Sequence, residues 1–105
     1  VAGLLEADFL HQVEDVARLY GWKAHHEFRT DKRTPGGWPD LALCKGARLI
    51  FAELKKEDGR LSVKQRDWLI ALDGTPVEVA LWRPSDMPTI LRVLGLRAER
   101  AVLSL

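Results

Sequence analysis

The chain has 105 residues, 47% hydrophobic and 30% charged, which is the composition of one globular domain with one core and excludes a disordered or fibrous chain. Sixteen Lys and Arg against fifteen Asp and Glu leave a net charge of +1, so any attraction to nucleic acid must be local. A lone cysteine, Cys44, rules out an internal disulfide framework and a Cys-rich zinc site.

Taken in chain order, "LLEADFLHQVEDVARLY" carries Leu5, Phe9, Val13, Val16 and Leu19 or Tyr20 at three- and four-residue steps. That spacing predicts an amphipathic helix, closed by Gly21. "WKAHHEF" has strand character, and "RTDKRTPGG" is polar, basic and broken by Pro and Gly, as an exposed loop is. "PDLALC" and "RLIFAELK" are short apolar runs separated by "KGA", a hairpin pattern whose second strand is apolar enough on both faces to be central. Cys44 in the first of them is expected to be a small buried hydrophobe.

Ser62 and Gln65 have capping-box spacing and predict the start of a second helix, "SVKQRDWLIALDG". "VEVALW" reads as a buried strand and "SDMPTILRVLG" as a third helix, with Ser85 as its cap and Pro88 in its first turn. Trp22, Trp68 and Trp82 lie on or beside apolar segments as core or interface anchors, and Trp38 is expected to pack beneath the loop. The expected fold class is α/β: one domain over 1–105 in the order α-β-β-β-α-β-α, with a mixed β-sheet covered by helices on both faces. No apolar run is long enough to span a bilayer, and the N-terminus lacks a signal pattern, so a non-membrane, cytoplasmic protein is expected.

Strand alternation sends Glu53 and Lys55 to one face, and Asp40 begins the neighbouring strand. Two ionised groups at the end of an apolar strand are costly unless they pair, meet water or bind an ion. Asp40 and Glu53 toward one end of adjacent strands are within reach of a hard cation, and oxygen ligands suit Mg2+ or Mn2+. Lys55 beside such an ion can orient an attacking water or stabilise developing charge, a combination suited to phosphodiester hydrolysis. The ordinary alternative is a surface Lys-Glu pair with Asp40 as a turn residue.

Pro39-Asp40, twelve intervening residues and Glu53-Leu54-Lys55 match the PD-(D/E)xK nuclease signature. "GWPDLAL", "LIFAELKKEDGRLSVKQRDWL" and "VEVALWRPSD" resemble the strand, strand-turn-helix and final-strand blocks of stand-alone VRR-NUC domains of phages and bacteria, over about residues 6–94. The resemblance implies a restriction-endonuclease-like core, Mg2+ or Mn2+ as cofactor, and cleavage of DNA. Some single-domain members are dimeric and act on four-way junctions, so the resemblance implies a homodimer here, whereas the domain in Fanconi-associated nuclease works on flaps. A phage origin would place the protein in the host cell cytoplasm. Carried over by position, the resemblance makes Asp40 and Glu53 metal ligands and Lys55 the catalytic lysine, and the backbone carbonyl of Leu54 can complete the coordination. It also implies an acidic ligand on the first helix; Glu6, on the flank of the apolar stripe, is the choice, with interaction at the helix N-terminus as its alternative. Gln65 matches a glutamine facing the metal site, in competition with its capping role. His26 corresponds to a histidine before the basic loop that could touch a phosphate.

Arg29, Lys32 and Arg33 before Asp40, and Lys56, Arg60, Lys64 and Arg66 after Lys55, flank the acidic centre with groups able to neutralise DNA phosphates. The expected function is a metal-dependent, structure-selective DNA endonuclease acting on four-way or other branched DNA. Its alternatives are a flap or nicking nuclease within a larger complex and a non-catalytic DNA-binding module.

Overall fold

A computed structural model of the chain describes residues 6–27 and 36–96. Helix α1 (Glu6–Leu19) buries Phe9, Val13 and Ala17, one residue per turn along a single stripe. It ends in a Schellman arrangement: Gly21 takes φ +87, its N–H donates to the Arg18 carbonyl at 3.0 Å, and the Trp22 N–H donates to that of Ala17 at 2.9 Å. Of the two residues expected at the end of the stripe, Leu19 is 80% exposed and Tyr20 37%, because Leu19 stands two residues from the buried Ala17 and so on the opposite side of the helix.

Strands β1 (Lys23–His26), β2 (Leu41–Lys45), β3 (Arg48–Leu54) and β4 (Glu78–Trp82) form one mixed sheet in that order. The first three are antiparallel; β3 and β4 run parallel, joined through helix α2 (Val63–Asp73). A two-residue turn with Gly46 at φ +58 closes the β2–β3 hairpin. After β4, a 3-10 turn (Pro84–Asp86) leads into α3 (Met87–Gly95). Both faces of the sheet carry helices, and β3 is central as its composition requires.

One face holds the core. Leu41 and Leu43 of β2, Ile50, Ala52 and Leu54 of β3 and Trp82 of β4 pack with the α1 stripe, Trp22, and Ile90 and Leu94 of α3. At the end of the sheet where β3 begins, Arg48 donates to both Glu78 oxygens at 2.9 and 2.7 Å and to the Val93 carbonyl at 3.0 Å, while lying 4.9 Å above the Trp22 ring. The Trp22 indole N–H donates to the Leu94 carbonyl at 2.8 Å, so the C-terminal turn of α3 is anchored twice. The Arg48 hydrogen bonds also hold the Glu78 carboxyl below its usual range.

The other face carries Ala42, Cys44, Phe51, Glu53, Val79 and Leu81, by strand alternation. Trp38 packs edge-on against Phe51 at 5.2 Å and Trp68 at 4.8 Å, bringing α2 onto this face. Cover here is partial: α2 buries none of its residues fully, and Trp68 is a half-exposed lid rather than a core residue. Cys44 is exposed, contrary to its sequence reading, because α2 lies against β4 and does not reach that part of β2. Ser85 is not a cap either. Its N–H and hydroxyl both bind the Glu57 carboxylate, and Asp86 accepts instead from the Arg83 N–H at 2.8 Å. Among the described residues no helix is long and apolar enough to cross a membrane.

Gly37 joins the two sides of the sheet end. At φ +98, a Cβ there would stand 2.5 Å from the carbonyl carbon and oxygen of Lys64, so the 36–39 segment can lie against the first turn of α2 only with glycine. Gly46 has positive φ but open space around it. Gly37→Ala is therefore expected to cost about 2–4 kcal/mol of stability, and Gly46→Ala about 1 kcal/mol, as shifts in the urea midpoint.

Candidate metal centre

The β2–β3 register pairs Leu41 with Ala52, and carried one residue further it sets Asp40 opposite Glu53. On the other side of β2, the Glu27 N–H donates to the Asp40 carbonyl at 3.0 Å, so Asp40 also stays paired with the chain that follows β1. Opposed residues share a face, so the two carboxylates are cross-strand neighbours, with Lys55 two residues on along β3. The Leu54 N–H donates to Asp40 Oδ2 at 2.9 Å, which anchors that carboxylate at the strand end. A strand residue aims its N–H and C=O at the same neighbour, so the Leu54 carbonyl is directed to the Asp40 side as well.

Glu53 is the buried acidic residue of the described structure, 1% exposed, and neither of its carboxylate oxygens has a hydrogen-bond partner. Ionised, it would be a buried charge with no donor. Its carboxyl is accordingly pushed up from 4.5 to about 9, first by burial and then by Asp40, to which a protonated Glu53 can donate and whose charge repels a second anion. Lys55 pulls the other way by favouring the charged form.

A divalent cation fits this environment. It would supply the positive charge that the two carboxylates lack, and Mg2+ or Mn2+ needs only one or two carboxylates when water and phosphate oxygens complete its shell. Asp40, Glu53 and the Leu54 carbonyl are the groups that would hold it. Among the described residues no cluster of three or more His, Cys, Asp or Glu forms, so the protein's side-chain contribution there is a carboxylate pair. Glu6 is the first residue of α1, but its side chain lies outside the described structure, as do Arg29, Lys32 and Arg33.

Gln65 shows how its two sequence readings meet. The capping box is formed: the Gln65 N–H donates to Ser62 Oγ at 3.1 Å, and Gln65 Oε1 accepts from the Ser62 N–H at 2.9 Å. Its carbonyl oxygen is thus committed to the helix start, and this turn of the helix abuts Gly37 beside Asp40. His26 lines a cavity together with Asp40. Lys56, Arg60, Lys64 and Arg66 are exposed, as phosphate-neutralising groups must be. The segment after Lys55 is clamped to the β4–α3 connection, because Arg83 Nη2 donates to the Gly59 carbonyl at 2.8 Å and Glu57 binds Ser85. Sequence reading missed this clamp and the Gly37 contact; "PGG" signalled a break in the chain, but not what the chain would pack on.

No family model, curated protein or solved structure matches the chain.

The raised Glu53 carboxyl makes the stability of the metal-free protein pH-dependent with a definite sign. Below 4.5 the group is protonated whether the chain is folded or not, and its favourable contribution is complete. Between 4.5 and about 9 only the folded protein retains the proton, so stability is lost as pH rises through that window. Glu53→Gln keeps the shape without the charge. Denaturation of both proteins in EDTA should show wild type losing up to about 4 kcal/mol relative to the variant between pH 5 and pH 8.

Proposed function

We propose that the protein is a divalent-metal-dependent DNA endonuclease with the VRR-NUC form of the PD-(D/E)xK site, acting on branched DNA. The observation that carries this reading is Glu53: a buried carboxylate with no partner, opposite a second carboxylate, at a strand end that leads directly to Lys55. A structural ion pair would have given Glu53 a donor.

A bound Mg2+ or Mn2+ supplies Lewis-acid polarisation of the scissile phosphate and neutralises its charge. Everything else falls to the chain's own residues. Asp40, held by the Leu54 N–H, and Glu53, packed at the base of the site, are pre-positioned, so little reorganisation is needed at the moment of reaction. Glu53, protonated in the metal-free protein, would hold a cation only as the carboxylate, with its proton released to solvent. Lys55 orients the attacking water and donates to the charge that develops on the phosphoryl oxygens. Lys56, Arg60 and Lys64 offset the repulsion between the carboxylates and the DNA backbone, and nothing in them reads base identity.

A second reading is a non-catalytic DNA-binding module, in which Glu53 stays protonated. The small number of ligating side chains among the described residues is what favours it. Labelled four-way junction, flap, single-stranded and linear duplex DNA, each incubated with Mg2+, Mn2+ or EDTA, separate the two. The nuclease reading expects cutting only with metal, and a loss of about 100-fold or more in Lys55→Ala without loss of fold. Cutting that survives EDTA, or full activity in Lys55→Ala, contradicts it. Binding without cutting under any metal selects the module.

A further inference from the structure

A cavity of about 210 Å³ opens beside Asp40 on the α1 side of the sheet, lined by Ala7 and Leu10 of α1, His26 at the end of β1, Asp40 and Leu54. We infer that it seats the base of a single unstacked nucleotide adjoining the scissile phosphate, and that this sets the preference for DNA whose bases are out of the duplex. The inference rests on the nuclease reading for the position of the phosphate and deepens it.

Three features of the cavity lead there. Asp40 forms one wall, so a group filling the space lies next to a phosphate held at that carboxylate, and in DNA the covalent neighbour of a phosphate is a nucleoside. Ala7, Leu10 and Leu54 make much of the lining apolar, which suits the face of a base and gives a phosphate nothing to bind. His26 adds an aromatic ring of the kind on which unpaired bases stack. The size is also restrictive. At about 210 Å³ the cavity is smaller than the ~300 Å³ at which sites for drug-sized ligands begin. A single base suits this size better than a base pair does, so a nucleotide within continuous duplex is expected to enter by flipping out. One already unpaired at a branch, flap or single strand enters without that cost.

The test uses the full chain and DNA carrying 2-aminopurine, either unpaired at the branch of a flap or paired in an unbroken duplex of the same sequence, in calcium buffer. Ala7 is exposed, so Ala7→Trp can fill the cavity without entering the core. Leu10→Trp fills it from a second position, and circular dichroism with urea midpoints shows that both variants fold. Wild type is expected to change the fluorescence of the unpaired probe and to bind that DNA at least tenfold more tightly than the duplex. In either tryptophan variant the preference should fall below twofold. Equal binding of both DNAs by wild type, or an undiminished preference in folded Ala7→Trp and Leu10→Trp, overturns the inference. Cleavage assays in Mg2+ on the same DNAs separate its failure from that of the nuclease reading. Lys55-dependent cutting that is insensitive to Ala7→Trp refutes the pocket and leaves the nuclease; a variant-sensitive preference with no cutting by wild type leaves the pocket and refutes the nuclease.

Discussion

A carboxylate taken out of water without a donor is the constraint on which the rest of this structure depends. Glu53 sits on the central strand, 1% exposed, with both oxygens unpartnered and Asp40 opposite it. Isolated, such a group destabilises the fold, and it escapes the penalty by holding a proton. The fold tolerates the arrangement because the hydrophobic core lies on the opposite face of the same strands, where Ile50, Ala52 and Leu54 alternate with Phe51, Glu53 and Lys55. Burial on that face holds β3 in place, so the strand end can carry groups that do not help it fold.

The surrounding contacts keep that end from relaxing. Asp40 is tied to the Leu54 amide, the 36–39 segment is seated on α2 through a glycine, and Arg83 and Glu57 pin the turn that follows Lys55. A polar lock of Arg48 with Glu78, Val93 and Trp22 lies at the other end of the sheet and secures α3. The Arg48 lock and the carboxylate pair are therefore separated along the strands. A cation would make the pair stabilising as well, since it neutralises both carboxylates and stabilises the folded form that binds it.

Much of this was legible in local sequence because local physics decides it. Gly21 ends α1 with the expected left-handed turn, Ser62 and Gln65 form their capping box, and the "KGA" hairpin sets Asp40 beside Glu53. What was not legible depends on contacts distant in sequence. Cys44 faces outward because α2 lies over β4, and Ser85 is claimed by Glu57, twenty-eight residues away. The charges at 40, 53 and 55 suggested a metal site from the sequence. Only the structure showed that Glu53 is sealed from water with no donor, the feature that sets this site apart from a surface ion pair.

Calorimetric titration of Mn2+ into the protein near pH 8, repeated in buffers of different ionisation enthalpy, tests the central claim directly because it counts protons as well as ions. If Asp40 and a protonated Glu53 form the cation site, Mn2+ binds wild type with release of about one proton, and Glu53→Gln loses both the binding and the release. No Mn2+ binding by wild type, or equal binding and proton release in the two proteins, would contradict the account.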